Sequence, residues 1–137
     1  MQIKFKEILI KAEVITTEKS DKQFIIKGGN GMEGSELRVV KEAVGKNAQI
    51  VLSGEIDIYT SQSFKNELNE VVSSCKGDIF IDCKELSYID STGLGILVGA
   101  LKEIRKDNND IYICNLKENI KKLFIITGLD KLFKIKE

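Results

Sequence analysis

The residues of this chain most suited to chemistry are Asp90, Ser91 and Thr92, which lie together just before an apolar stretch. From Leu94 onward the apolar residues follow the three-and-four spacing of one helix face. Side-chain oxygens at such a place accept hydrogen bonds from the unpaired N–H groups of the first helical turn. The cluster therefore predicts a helix N-terminus that carries a hydroxyl group. Helix capping alone would be enough to explain these residue types.

The chain contains no histidine, which excludes most of the catalytic chemistry available to a serine. A Ser-His-Asp triad, a Cys-His pair and a histidine-based metal site all need an imidazole. Only a Ser-Lys arrangement remains for Ser91, so we predict that the protein is not an enzyme. Cys75, Cys83 and Cys114 lack the close pairing of a zinc or redox motif, and we expect them to be small reduced core residues. No metal or cofactor is predicted.

Charge and hydropathy limit the classes of partner. Lysine plus arginine equals aspartate plus glutamate at 21 each, so no net charge attracts nucleic acid or an anionic membrane. No apolar run has the length of a bilayer span, and the first residues lack the apolar centre of a signal peptide. The 137 residues, 42% of them hydrophobic, fit a single globular domain. We expect a cytoplasmic protein that binds neither nucleic acid nor membrane.

Strands and helices alternate from residue 37 onward. Helices are predicted after a cap at Ser61 or Ser63, after the Ser91 cluster, and over residues 118–127, and the first should close at Gly77 as a C-cap. Strands are predicted at residues 37–41, 49–53, 78–83, 111–114 and 132–135. This alternation favours right-handed crossovers onto a mixed β-sheet layered with α-helices, an α/β fold.

The first 36 residues have a less regular pattern. Apolar residues at positions 5, 8, 9, 12 and 15 suit one helix face, whereas those at 8, 10, 12 and 14 alternate as in a strand. We favour a hairpin that turns at residues 17–21 and returns as a short strand at 24–26. The glycine-rich run 28–34 lacks the Lys-Ser/Thr ending of a phosphate-binding loop, so a flexible joint is expected there.

Three segments in register resemble one known family. Residues 90–95, Asp-Ser-Thr-Gly-Leu-Gly, resemble the signature of the STAS domain of bacterial anti-sigma factor antagonists of the stage II sporulation protein AA type. Residues 52–57 and 121–129 are similar to family segments in the same order. The resemblance implies a STAS domain over residues 37–137 and an N-terminal extension over 1–36. Members usually add a C-terminal helix, and the chain stops at Glu137 without one. The sheet face concerned is either open or covered by the extension.

The resemblance also implies a phosphorylation switch. The unphosphorylated form would bind an anti-sigma factor serine kinase and free a sigma factor, and phosphorylation of Ser91 would release the kinase. A serine phosphatase acting on phosphorylated Ser91 would reverse the switch. We expect a monomer or weak dimer. The predicted partner-binding residues are Asp57, Tyr59, Thr60, Asp90, Ser91, Thr92, Gly93 and Leu94.

Other interpretations are compatible with the same residues. The domain could be a STAS scaffold or ligand-sensing module in which Ser91 is only a helix cap. A serine-dependent enzyme is a third class, which the missing histidine disfavours. Asp57 could make a polar contact to the partner or only shape a turn, and Tyr59 could be an interface residue or a half-buried loop residue.

Overall fold

A computed structural model of the chain describes residues 22–27 and 35–137, which form one six-stranded sheet and three α-helices. In chain order the elements are β1 (Lys22–Lys27), β2 (Glu36–Val44), β3 (Asn47–Ile56), α1 (Ser61–Ser74), β4 (Ile79–Ile89), α2 (Ser91–Arg105), β5 (Ile111–Cys114), α3 (Glu118–Ile126), a short 3-10 helix (Leu129–Lys131) and β6 (Lys134–Lys136). The predicted α/β class is confirmed.

The strands lie in the sheet in the same order as in the sequence. β1, β2 and β3 pair antiparallel, whereas β3 to β6 pair parallel. Each parallel connection contains one α-helix, as a parallel crossover requires. The sheet is therefore mixed, as the sequence pattern predicted.

The three helices cover one face of the sheet. Their buried residues join those of β2 to β5 in a single large cluster, in which Phe64, Leu97 and Phe124 are among the side chains from the helices. A second, smaller cluster contains Phe80 and Cys114, which alternate with the residues of the large cluster along β4 and β5. The second cluster thus lies on the opposite face.

β1 confirms the strand that was expected at residues 24–26. It pairs with β2 at the edge of the sheet. The predicted turn at 17–21, the predicted joint at 28–34 and the choice between helix and strand for residues 5–15 all fall outside the described residues. No helix follows β6 in the described part of the chain.

Two predictions about α1 are wrong. Neither Ser61 nor Ser63 caps the helix, because Thr60 occupies the N-cap position and its hydroxyl is used by the preceding turn. Gly77 is not a C-cap, since α1 ends at Ser74 and Gly77 lacks a positive φ. A Cβ at Gly77 would lie 2.3 Å from Asn47 Oδ1, so close packing on the β2–β3 turn explains the glycine.

The remaining differences are smaller. β4 is longer than predicted and runs to Ile89, and β6 begins two residues later than predicted because Phe133 packs into the core. Gly128 has a φ of 77° and ends α3 as predicted. All three cysteines are free thiols, but only two are buried, and Cys75 is partly exposed. Among the described helices, none has the length and apolar character needed to cross a membrane.

Candidate functional site

Ser91 begins α2 directly after the end of β4, and its neighbour Asp90 caps the helix. Asp90 has an extended backbone, and its Oδ1 accepts a hydrogen bond from the N–H of Gly93 at 3.0 Å. Its carbonyl oxygen accepts the N–H of Leu94 at 3.0 Å. The predicted capping function of the Asp-Ser-Thr cluster is thus confirmed for Asp90.

The hydroxyl of Ser91 is exposed and makes no hydrogen bond to any residue that the structure describes. Thr92, the next residue, is exposed as well. Because the Asp90 carboxylate already accepts the N–H of Gly93, the Ser91 hydroxyl is not needed for that capping hydrogen bond. It is therefore accessible for a reaction or for contact with a partner.

The turn that follows β3 lies beside this helix start. The N–H of Asp90 donates to the carbonyl of Ile56 at 3.2 Å, which joins the ends of β3 and β4. Asp57 Oδ1 then accepts the N–H groups of Tyr59 at 2.9 Å and Thr60 at 3.2 Å. Thr60 Oγ1 accepts the N–H of Asp57 at 3.0 Å and donates to Glu55 O at 2.9 Å. These hydrogen bonds therefore fix both ends of the turn, and the Asp57 side chain contributes to its shape.

The pKa of the Asp57 carboxyl lies below its ordinary value. Partial burial raises it, but the Ser35 hydroxyl and hydrogen bonds from Tyr59 and Thr60 together outweigh that effect. The Ser35 hydroxyl approaches without the geometry of a full hydrogen bond, so we attribute most of the stabilisation to the two N–H groups. Asp57 carries its negative charge at neutral pH.

Gly93 allows α2 to pack closely on the strand ends. It is buried, and a Cβ at this position would lie 2.7 Å from side-chain carbons of both Ile56 and Ile89. Such distances are shorter than van der Waals contact, so any larger residue would push α2 away from β3 and β4. This close approach positions Ser91 next to the turn at residues 57–60.

Gly95 and Gly99 leave bare backbone on the outer face of α2. They follow Ser91 at four and eight residues, so all three lie along one line of the helix surface. Both glycines are exposed, and a Cβ on either would meet no atom within 4 Å. Glycines cost helix propensity, and close approach of another element to the backbone can explain them. Within the chain this holds for Gly93, whereas Gly95 and Gly99 face outward.

Three large apolar side chains are exposed at the same end of the sheet. Ile58 is 71% exposed, Tyr59 64% and Tyr88 48%. The strand register places Tyr88 beside Glu55, three residues before Ile58. Single exposed apolar residues are ordinary, but several at one end of a sheet are typical of a protein-binding surface. We call Ile58, Tyr59, Tyr88, Ser91 and Thr92 the Ser91 surface.

The structure divides the predicted partner-binding residues into two groups. Tyr59, Ser91 and Thr92 are exposed, and Asp57 and Asp90 are partly exposed. The buried group consists of Thr60, Gly93 and Leu94, which pack inside the domain and present no side chain to a partner. Sequence reasoning missed Ile58 and Tyr88. The signal for Ile58 was an isolated apolar residue within a polar turn.

No other chemical site stands out in the described ranges. They contain no group of three or more acidic, cysteine or histidine side chains arranged to hold a metal ion. Burial raises the pKa of Cys83 far above its ordinary value and that of Cys114 to about 12. Both thiols therefore remain protonated at neutral pH and are poor nucleophiles.

Known proteins are similar in sequence to most of this chain. A family model described as the STAS domain matches residues 38–137. An anti-sigma-B factor antagonist of Listeria monocytogenes is 40% identical over 98 residues, which are 71% of this chain and 85% of that protein. The anti-sigma-B factor antagonist of Staphylococcus aureus (strain NCTC 8325 / PS 47) is 35% identical over 101 residues, which are 74% of this chain and 94% of that protein.

A solved structure shares the fold. The crystal structure of an anti-sigma factor antagonist from Mycobacterium paratuberculosis superposes with a TM-score of 0.66 at 24% identity. The match covers 73% of this chain and 85% of that one. The likeness at this level of identity concerns the arrangement of strands and helices.

Proposed function

Because this chain belongs to the STAS family, we propose that it is an anti-sigma factor antagonist switched by phosphorylation of Ser91. The unphosphorylated protein binds an anti-sigma factor that is also a serine kinase, and the sigma factor is freed. The Ser91 oxygen then attacks the γ-phosphorus of ATP on the kinase, ADP leaves, and a base of the kinase takes the hydroxyl proton. A serine phosphatase restores the hydroxyl by hydrolysis.

The observation that carries this proposal is the accessible Ser91 hydroxyl beside a helix cap made by another residue. A kinase needs an oxygen that it can reach without unfolding its substrate. Ser91 offers this, because Asp90 supplies the capping hydrogen bond at 3.0 Å. Phosphorylation therefore removes no hydrogen bond that the described chain makes. The names of the two curated relatives support the assigned role.

The free energy of a phosphate on Ser91 differs between the free domain and a complex. The group adds roughly −1.5 to −2 charges. At a helix N-terminus negative charge is favoured by about 0.3–1 kcal/mol, which acts against the repulsion from the Asp90 carboxylate. In a complex the same charge must lose its water beside the Asp90 carboxylate, and an unpaired buried charge costs on the order of 3–5 kcal/mol. Release of the partner is the favourable outcome.

The Ser91 surface contains the types of side chain that protein-binding surfaces use. Ile58, Tyr59 and Tyr88 supply apolar and aromatic area, the kind that contributes most to binding free energy. Gly95 and Gly99 let a partner approach the backbone of α2. Asp57 holds the turn that presents Ile58 and Tyr59, so its effect on binding includes positioning.

Phosphorylation in vitro tests the proposal directly. The protein is incubated with ATP and the anti-sigma factor kinase of the same organism, and the modified peptide is identified by mass spectrometry. We expect one phosphate, on Ser91, with no modification of a Ser91→Ala variant and normal modification of Thr92→Ala. The reverse pattern in the two variants, or no modification of the native chain, would contradict the assignment.

The second candidate is a scaffold or ligand-sensing module that is not phosphorylated. In that case Ser91 would only cap the helix, yet the capping hydrogen bond is made by Asp90. That candidate leaves the accessible hydroxyl without a role, so we place it second. We further propose that residues 37–137 are the switching unit, that the protein acts in the cytoplasm as a monomer or weak dimer, and that it needs no cofactor.

A further inference from the structure

Six large apolar side chains are exposed in the part of the chain that the structure describes, and they form two groups. Three belong to the Ser91 surface. The others are Ile125 and Ile126 at the end of α3 and Leu132 after the 3-10 helix, which are 52%, 80% and 39% exposed. We call these three residues, together with Lys122 and Lys131, the Ile126 surface. The proposed function does not use it.

The core does not explain the two isoleucines. α3 packs into the domain through Ile120 and Phe124, which are buried. Ile126 follows Phe124 by two residues, or about 200° around the helix, so it points away from the core. A surface helix ordinarily carries polar side chains on that side. Exposed isoleucines there are typical of a docking surface.

Hydrogen-bonded turns bring the apolar residues into one corner of the domain. The N–H of Gly128 donates to Ile125 O at 3.1 Å, and the N–H of Lys131 donates to Gly128 O at 3.2 Å. These bonds fold the 3-10 helix back against the end of α3. Leu132, which follows directly, therefore belongs to the same corner as the isoleucines.

Arg105 fixes this corner relative to the Ser91 surface. Its guanidinium, in the last turn of α2, donates to Leu132 O, and its Nε donates to Asp110 Oδ1 at 3.1 Å. α2 begins at Ser91 and has 15 residues. A helix of that length rises about 20 Å. The two surfaces therefore lie near opposite ends of α2, and a partner on one leaves the other accessible.

Positive charge lies among the apolar residues. Lys122 precedes Ile125 and Ile126 by three and four residues, so it neighbours both on the outer face of α3. Lys131 directly precedes Leu132. Both lysines are exposed, and neither forms an ion pair with a residue that the structure describes. Their charges are therefore available to a partner.

Acidic side chains do not neutralise this charge. Residues 117–137 contain six lysines and three acidic residues, although the whole chain has equal numbers of basic and acidic residues. Of the three acids, Glu137 pairs with Lys121, and Asp130 has one carboxylate oxygen buried. Glu118, at the start of α3, is exposed. The surface is positive overall, so a complementary partner is acidic.

We propose that the Ile126 surface binds an acidic segment of a partner protein, one that carries apolar side chains beside its carboxylates. The isoleucines and Leu132 would supply apolar contact, and the carboxylates would pair with Lys122 and Lys131. A second copy of this chain is disfavoured, because two-fold symmetry would place the same positive surface against itself. An anionic membrane is disfavoured, because the exposed apolar residues are aliphatic, whereas membrane interfaces favour tryptophan and tyrosine.

Titration of the full chain with two synthetic helical peptides tests the proposal. One peptide carries leucines on one face and glutamates on the other, and the second has lysines in place of the glutamates. Each carries a fluorescent label, and binding is followed by anisotropy. We expect saturable binding of the glutamate peptide below about 1 mM and about tenfold weaker binding of the lysine peptide. Absence of binding, or equal binding of both peptides, would overturn the proposal.

Charge variants test whether the peptide binds at this surface. Lys122→Glu combined with Lys131→Glu should weaken binding of the glutamate peptide about tenfold. The matched control combines Lys65→Glu with Lys84→Glu, two exposed lysines on other elements, and should bind like the native chain. Equal losses in the two double variants would show attraction by overall charge alone and would contradict a site at the Ile126 surface.

An apolar variant tests the other half of the surface. Ile125→Ser combined with Ile126→Ser should lose about tenfold in affinity for the glutamate peptide and keep its melting temperature, because both side chains are exposed. Native affinity would refute the proposal. So would a dimer of the native chain, or its binding to phosphatidylglycerol vesicles, that this variant loses. Ser91→Asp should bind the peptide like the native chain, so the result is independent of the proposed function.

Discussion

The backbone N–H of Asp90 donates to the carbonyl of Ile56, and this single hydrogen bond of 3.2 Å joins the two loops of the site. One residue after Ile56 comes the turn that presents Ile58 and Tyr59, and one residue after Asp90 comes Ser91. The parallel pairing of β3 and β4 thus brings an accessible hydroxyl and an apolar surface together, although they lie some thirty residues apart in sequence.

Replacement of Ser91 by alanine should leave the domain folded. Asp90 retains the cap and alanine is the better helix former, so the free energy of unfolding should change by less than about 0.5 kcal/mol. The variant should accept no phosphate and hold its kinase permanently. Chemical denaturation and a pull-down in the presence of ATP measure the two effects. A loss above about 2 kcal/mol would show that Ser91 has a structural role.

Two substitutions of Asp90 separate its cap from its charge. Asp90→Ala should destabilise the domain by about 0.5–2 kcal/mol, because the N–H of Gly93 loses its acceptor. Asp90→Asn should be nearly as stable as the native chain, since asparagine caps equally well. Equal losses in thermal unfolding of the two variants would contradict the capping role of the Asp90 side chain.

Much of the fold could be predicted from the sequence, because the spacing of apolar residues indicates which side of a helix or strand is buried. The predicted strand 111–114 and the helix ending at Gly128 appear in the structure. The function of Gly77 could not be predicted, because it depends on contact with Asn47 thirty residues away. The same limit applies to Ile58 and Tyr88, whose proximity is set by the pairing of β3 with β4.

Some features of the site could likewise be predicted from the sequence, and others could not. The Asp-Ser-Thr cluster predicted a helix start, and capping geometry is local enough to follow from residue types. Which of the three residues makes the cap was not predictable, because all three have a suitable oxygen. Burial of Thr60 also escaped prediction, since its hydroxyl bonds to Glu55 and Asp57 within a turn whose shape only the fold determines.

Alanine substitutions of Gly93 and Gly99 in α2 should change the stability of the domain in opposite directions. Gly93→Ala places a methyl group 2.7 Å from carbons of Ile56 and Ile89 and should cost about 1–3 kcal/mol of stability. Gly99→Ala meets no atom within 4 Å and should stabilise the helix by about 0.5–1 kcal/mol. Equilibrium unfolding of both variants is the measurement. Destabilisation by Gly99→Ala would show that its surface is already occupied.

The turn at Asp57 should loosen in acid. The pKa of Asp57 is below its ordinary value of 3.8 in the folded state, so its charged form stabilises the turn. That stabilisation is fully present above pH 3.8 and is lost as the pH falls through the lower folded pKa. The amide NMR signals of Tyr59 and Thr60 should shift in that range. In Asp57→Asn the shift should vanish, and its persistence would assign the titration to another group.

Negative charge at Ser91 should release the partner without harming the fold, and the Ser91→Asp variant isolates this effect. The carboxylate at the N-terminus of α2 should leave thermal stability unchanged or slightly raised. Binding to the kinase should weaken roughly thirtyfold, because even half the penalty for an unpaired buried charge is about 2 kcal/mol. Ser91→Asn, similar in size but neutral, is the matched control and should bind far better. Titration of the kinase with both folded variants measures the two affinities. We predict a large difference between them, and equal, native-like affinity would contradict release by charge.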